Sequence, residues 1–258
     1  MQQGGLFLSN VLDPRPSDEA AAAPIPGAVN IPVEELSDRT HELPARDREL
    51  AIVASGELLD ESISALTGLG RTTVPLHRSC VAPGPSHSKP RLWSPNAFLE
   101  EVVTELSPAR VIDIACGTGR DAVFLASLGW SVTAIDHLED ALQRGRDLEA
   151  RYAPSSIDWR RQDAAAIELC PDVDLVTMFF FLDKELLKRV IGQLKAGAHL
   201  VLETFTAEHR EHFGKPRSTQ LVLHPGEITH IAAHLDVVYY SEGWHGGRHT
   251  ARFWGRKV

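Results

Sequence analysis

Apolar residues follow two alternating rhythms along this chain. Short unbroken apolar runs of strand length alternate with longer stretches whose apolar positions recur every three or four residues, the spacing of a helix with one buried face. Beyond residue 90 the pattern predicts a helix over Phe98–Leu106, a strand over Arg110–Ile114, a helix over Asp121–Leu128 stopped by Gly129, and a strand over Ser131–Ile135 that ends at Asp136. A helix over Glu139–Tyr152 follows, then strands at Ile157–Arg161 and Asp174–Met178, a helix over Lys184–Leu194 and a strand over His199–Thr204. A helix over Glu227–His234 and closing strands at Val237–Tyr240 and Arg252–Arg256 complete the series. Strands that alternate with helices in this way specify parallel sheets covered by helices, so the expected fold class is α/β.

The rhythm breaks once, at Ser79–Pro90. The stretch SCVAPGPSHSKP is rich in Pro, Gly and Ser and sustains neither a helix nor a central strand. The chain is therefore expected to form a smaller α/β domain over residues 1–78, a linker over 79–90 and a larger domain over 91–258. A formal net charge of -9 repels phosphate backbones and makes nucleic acid a poor partner. Three scattered cysteines, Cys80, Cys116 and Cys170, give no disulfide framework and favour a reducing, cytoplasmic setting. No apolar stretch approaches the roughly 20 residues of a membrane span. The first ten residues lack the basic start and apolar core of a signal peptide.

Chemistry concentrates at Asp113-Ile114-Ala115-Cys116-Gly117-Thr118-Gly119, between a strand and a helix. Gly117 and Gly119 let the backbone turn sharply and approach a ligand, because no Cβ intervenes. Amides at the start of the next helix would face the ligand's polar groups. Acids end the neighbouring strands: Asp136, followed by His137, is placed to accept from both hydroxyls of a ribose, and Asp163, followed by Ala164, suits an adenine amino group. Asp113 lies inside a strand, where a carboxylate is costly without a partner. The spacing also admits a dinucleotide, since Ala122 stands where that fingerprint allows Gly or Ala. The acid at Asp113 and the turn Ala-Cys-Gly-Thr-Gly weigh against it.

Val111–Gly119, VIDIACGTG, resembles the first motif of the class I S-adenosylmethionine (SAM)-dependent methyltransferases. Gly119-Arg120-Asp121, Phe124-Leu125-Ala126, Val132–Asp136, Phe179–Asp183, Leu194–Val201, Glu203-Thr204-Phe205, Phe213–Pro216 and His224–Glu227 are similar to the tellurite-resistance-type small-molecule methyltransferases. The resemblance covers residues 91–258 and implies a Rossmann-like, seven-stranded sheet with its last strand antiparallel. It implies SAM as cofactor and a small-molecule acceptor, and it fixes neither the acceptor nor a catalytic residue. The expected cofactor-binding set is Asp113, Ala115, Cys116, Gly117, Gly119, Asp136, His137, Asp163, Ala164 and Phe179, with Asp113 beside the cationic amino end of SAM. Ala115 and Lys195-Ala196-Gly197 depart mildly from the glycine and Pro-Gly-Gly common in the family.

Phe179, Phe180 and Phe181 either wall the pocket or pack the core. Arg91–Asn96 either folds over the cofactor as a lid or joins the domains. His209 and His212 lie in an insertion expected to face the acceptor and are candidates for a base. His230 and His234, four residues apart on a predicted helix, have no recognisable third ligand, and no metal is expected.

The first domain carries a second likeness. Val11–Arg15, Ile25–Pro32, Leu43-Pro44 and Leu50–Val53 resemble a rhodanese domain, in which the loop after such a strand begins with a persulfide-forming cysteine. Here the loop reads Ala54-Ser55-Gly56, and no cysteine precedes Cys80. The thiolate that sulfur transfer requires is missing, so this domain is expected to be silent as a sulfurtransferase. Two readings follow: an active SAM-dependent methyltransferase acting on a small molecule, a thiol or other chalcogen nucleophile among the candidates, or a non-catalytic SAM-binding adaptor or sensor.

Overall fold

The computed structural model describes residues 10–81, 89–153 and 156–258. Its contacts divide the chain into two compact units, Met1–Ser94 and Pro95–Val258. Of the expected linker, residues 82–88 lie outside the described residues, and Arg78–Cys80 forms a 3-10 turn. Among the described residues no helix is long and apolar enough to cross a membrane.

The first unit contains β1 (Val11–Asp13), α1 (Ser17–Ala22), β2 (Val29–Asn30), β3 (Leu50–Ile52), α2 (Gly56–Gly68) and β4 (Thr73–Pro75). Its four strands are parallel, in the order β2-β1-β3-β4. The strands are short, but the central pair, β1 and β3, presents wholly buried residues, among them Leu12, Leu50 and Ile52. Leu59, Ile63 and Leu66 recur along one stripe of α2 and close the core over this sheet. Asn30 Nδ2 donates to the carbonyls of Asp13 and Arg15 at 2.9 and 2.8 Å, tying the end of β2 to that of β1.

The second unit runs through α3 (Ala97–Val102), β5 (Arg110–Ile114), α4 (Arg120–Ser127), β6 (Ser131–Asp136), α5 (Glu139–Tyr152), β7 (Asp158–Arg161) and β8 (Leu175–Phe179). It continues through α6 (Lys184–Gln193), β9 (His199–Phe205), α7 (Ala207–Phe213), α8 (Glu227–Ile231), β10 (Leu235–His245) and β11 (Arg248–Lys257). The seven-stranded sheet has the order β10-β11-β9-β8-β5-β6-β7. Strands β5 to β9 are parallel, and β11 runs antiparallel to both β9 and β10. This is the α/β, Rossmann-like arrangement the sequence resemblance implies.

The register sets up the site. Asp113 lies between Ala134 and Thr177, while Asp136 and Phe179 sit one step beyond the end of β5, at the carboxyl edge of the sheet. Beneath them Ile112, Ile114, Ile135, Val176, Met178, Leu200 and Leu202 form a buried layer. Leu186, Leu187, Val190 and Ile191 of α6 pack on it.

Several elements differ from the expectation. The closing strands are far longer than Val237–Tyr240 and Arg252–Arg256, because cross-strand pairing carries the hairpin through polar residues out to His245 and Arg248. Gly246 and Gly247 make its tip, with φ of 53° and 76°, the left-handed pair that a two-residue hairpin turn demands. The helix from Glu227 ends at Ile231, so His234 is not on it and does not share a helical face with His230. The helix after Asn96 gives way at Val103 to a 3-10 turn instead of running to Leu106.

Candidate active site

The turn after β5 is built from backbone in the left-handed region at Ala115 (φ 56°), Gly117 (φ 54°) and Gly119 (φ 73°). Glycine adopts this freely; Ala115 bears a strain of roughly 1 kcal/mol for the same shape. Cys116 N donates to Ile135 O at 3.0 Å, and Gly119 N to Cys116 O at 2.9 Å, fixing the turn against β6. Gly119 also passes close to Trp159 of β7: a Cβ there would stand 2.2 Å from the indole, and one on Gly145 of α5 would stand 2.5 Å from it. The indole Nε1 donates to Glu149 Oε2 at 2.7 Å, so Trp159 is pinned where it buttresses the turn.

Asp136 holds the turn from the side. Its Oδ2 accepts from Gly117 N at 2.8 Å and its Oδ1 from Leu138 N at 2.9 Å, with His137 Nδ1 3.4 Å from Oδ1. Each oxygen keeps lone-pair capacity for a ligand hydroxyl. Asp163 Oδ1 accepts from Ala165 N at 2.8 Å and so orders the Ala164–Ala166 turn. Asp113 is buried under the turn. Its Oδ1 accepts from Thr177 Oγ1 at 2.8 Å, while its Oδ2 is buried with no hydrogen-bond partner. Burial, then the charge of Asp121 and, less, of Asp136 push the Asp113 carboxyl well above its ordinary range. Burial and the same three carboxylates push the Cys116 thiol up, so Cys116 stays protonated and is no nucleophile. Asp121, at the start of α4, is pushed up to about 6 by burial, against the hydrogen bond it accepts from Asn96 N at 2.6 Å.

Asn96 is a clamp the sequence did not announce. Its Oδ1 caps α3, accepting from Phe98 N and Leu99 N, and its Nδ2 donates to buried Glu203 Oε2 at 3.0 Å. With its backbone N–H on Asp121, Asn96 thus joins the glycine-loop helix, α3 and β9 through one residue.

Above the turn opens a crevice of about 970 Å³. Of the expected cofactor residues, Ala115, Asp136, His137, Asp163, Ala164 and Phe179 line it. Cys116, Gly117 and Gly119 shape its floor without lining it, and Asp113 lies beneath. Leu138, Gln162, Leu182–Glu185, Thr219–Leu221 and His224 also line it and were not anticipated. Leu138 had a signal, an apolar residue two positions after a strand-end acid, and it is half exposed over the crevice. Thr219–Leu221 belongs to a segment with no periodic pattern and gave none. His224 is positioned through Glu227, whose Oε2 accepts from His224 N at 2.9 Å and which pairs with Lys184 at 2.7 Å. Among the described residues no three His, Cys, Asp or Glu side chains converge as metal ligands do.

A seven-stranded sheet of this order, with a glycine turn and flanking acids at its carboxyl edge, defines the class I SAM-dependent methyltransferases. The chain matches the family model described as "Tellurite resistance protein TehB" over residues 88–242, and it belongs to that family. Among relatives, it is 30% identical over 112 residues to Hemagglutinin 1 of Eikenella corrodens, covering 43% of this chain and 37% of that one. It is 28% identical over 93 residues to the probable S-adenosyl-L-methionine-dependent methyltransferase TehB of Haemophilus influenzae, covering 35% of this chain and 32% of that one. The matched stretches thus span well under half of either relative. The crystal structure of TehB from Haemophilus influenzae superposes with a TM-score of 0.54 at 19% identity, over 64% of this chain and 63% of that one, a likeness of fold.

Proposed function

We propose that the second unit transfers a methyl group from SAM to a small-molecule acceptor, with a thiol or other chalcogen nucleophile the favoured class. One observation carries the reading: a buried carboxylate oxygen on Asp113 without a partner lies under a glycine turn whose flanking acid, Asp136, already organises the backbone. The residues fit the cofactor. Asp136 would take the ribose hydroxyls, Asp163 the adenine amino group, and Asp113 the cationic amino end, directly or through water. Leu138, Ala164 and Phe179 would wall the adenosine. The cofactor supplies an activated methyl group on a positively charged sulfur, which leaves as a neutral thioether.

What remains for the chain is to align the acceptor and keep water out. Methyl transfer to a soft nucleophile needs no strong base, and the protonated Cys116 does not compete as an acceptor. Titration calorimetry with SAM and with S-adenosylhomocysteine tests the cofactor assignment; no binding of either at millimolar ligand would sink it. Formation of S-adenosylhomocysteine with thiols, selenite or tellurite tests turnover. The adaptor reading draws on the first unit alone, since nothing in the second is disarmed.

For the first unit we infer a rhodanese-like domain that has lost its nucleophile. The support is the parallel sheet, the Ala54-Ser55-Gly56 loop between β3 and α2, and a cavity of about 250 Å³ over that loop lined by Arg15, Ser55, Leu58, His77 and Arg78. A hydroxyl at Ser55 cannot carry sulfane sulfur. A sulfurtransferase assay on the intact chain should read background.

A further inference from the structure

Beside the cofactor crevice runs a chain of contacting aromatic rings, of which only Phe180 lines the crevice itself. Phe180 joins the two. It lines the crevice, yet its ring packs 5.3 Å from Phe205 at the end of β9. Phe180 holds φ at 55°, a conformation costly for a bulky residue, and its N donates to Glu203 O at 2.7 Å. From Phe205 the rings continue outward: His209 of α7 stacks on Phe205 at 4.4 Å, Phe213 lies 4.7 Å from His209, and Trp244 of the β10–β11 hairpin lies 6.0 Å from Phe213. Three of these rings are unusually open, Phe180 at 39% exposure and Phe213 and Trp244 at 49% each. Arg248, at the hairpin tip, places its guanidinium 5.0 Å over the face of Phe180.

The tautomer of His209 is fixed by a hydrogen bond. His249 N donates to His209 Nδ1 at 3.2 Å, so neutral His209 carries its proton on Nε2, which has no protein partner among the described residues. Burial and the nearby charge of Arg248 hold the His209 pKa below its ordinary value and keep it neutral. Its unengaged nitrogen is therefore a donor, and His209 is unsuited to the role of base that its position in the sequence suggests. The neighbouring histidines are occupied: His249 Nδ1 lies 2.6 Å from Thr206 Oγ1 and its Nε2 3.0 Å from Glu208, while His245 is held between Ser241 and Thr250. His212 packs edge-on to Trp244 at the solvent rim. A ring cluster with stacking faces, one N–H donor, one guanidinium and buried acceptors already engaged, Glu203 with Thr250 and Asn96 and His249 with Thr206 and Glu208, suits a flat acceptor that arrives already anionic.

We propose that the acceptor is an aromatic thiolate, its ring seated among Phe180, Phe205, Phe213 and Trp244 and its sulfur facing His209 and Arg248. The inference rests on the methyltransferase reading above and names its substrate class. The thiol loses its proton to solvent before binding, because aromatic thiols ionise more readily than alkyl ones. A sulfur lone pair then forms the new S–CH3 bond as the C–S⁺ bond of the donor breaks. That bond's electron pair stays on the donor sulfur, leaving a methyl thioether and S-adenosylhomocysteine.

The test uses the full chain, SAM, and two probes, thiophenol and 2-mercaptoethanol, with rates expressed per thiolate. Thiophenol should give a kcat/KM at least tenfold higher. Trp244→Ala, at an exposed site that should not disturb folding, should raise the thiophenol KM about fivefold while kcat and SAM affinity hold. His209→Leu should raise KM and His209→Gln, which keeps a donor, should restore it. The rising limb of the pH profile should follow thiol ionisation in every variant. Equal efficiency for the two thiols, no turnover of thiophenol despite SAM binding, an unmoved preference in Trp244→Ala, or a histidine-like limb lost in His209→Leu would each overturn the inference and leave cofactor binding standing. Failure to bind SAM would instead remove the methyltransferase reading itself.

Discussion

The two units answer the same structural problem with opposite charge. In each, a parallel strand runs into a loop with a left-handed glycine and then a helix: β3, Gly56 and α2 in the first, β5, Gly117 and Gly119, and α4 in the second. The first loop faces Arg15, His77 and Arg78, and those arginines are already engaged, Arg15 with Asp13 at 2.7 Å and Arg78 with Ala23 O at 3.1 Å. The second loop is ringed by Asp113, Asp121 and Asp136, and Asp113 keeps an oxygen with nothing to bind. Shared architecture makes a crevice at the carboxyl edge of a sheet; side chains decide what it holds, and only one of these crevices retains an unmet demand.

The glycines sharpen the contrast most. Gly119→Ala should cost about 3 kcal/mol, from left-handed strain plus overpacking against Trp159. Gly56→Ala, with nothing within 4 Å of the added carbon, should cost only about 1 kcal/mol of strain. Urea unfolding of the two variants measures the difference, and equal losses would show that the second turn is no tighter than the first. Asp136→Ala removes the acceptor of two loop amides along with the ribose contact, so SAM affinity should fall roughly 30- to 100-fold, about 2–3 kcal/mol. Calorimetry reads this directly, and unchanged affinity would unseat Asp136.

Acidity separates the units next. Because Asp121 is pushed up to about 6 in the fold against an ordinary 3.8, the unfolded chain gives up this proton first. The group therefore subtracts stability progressively as pH rises from about 4 to about 6, and the loss is complete above that. Asp121→Asn should flatten that limb of the stability–pH curve; a limb that persists would assign it elsewhere. The smallest effect belongs to Ser55→Ala, which should leave stability within about 0.5 kcal/mol and SAM binding unaltered.

Much of the second unit was legible because its strands β5, β6, β8 and β9 are buried on both faces and read as unbroken apolar runs, which left the acids at their ends conspicuous. The apolar pattern marks only part of the hairpin because residues such as Ser241, Glu242 and His245 are held in strand conformation by partners on β11, information absent from local sequence. Helix α7 escaped because AEHREHF has almost no apolar stripe; its place is set by Thr206 at its start, His209 against Phe205 and Gly214 at its end. The structure brings the expected residues into one neighbourhood, but their division into floor, wall and buried support depends on left-handed backbone that spacing alone does not reveal. The donor character of His209 was out of reach for the same reason, since it follows from an amide forty residues away in sequence.

Trp159 gives the molecule a built-in optical gauge. Its indole touches the glycine turn on one side and α5 on the other, with its nitrogen tethered to Glu149. Filling the crevice changes the surroundings of that fluorophore without any attached dye, so emission from Trp159, isolated by replacing the chain's other four tryptophans with phenylalanine, would track occupancy in real time.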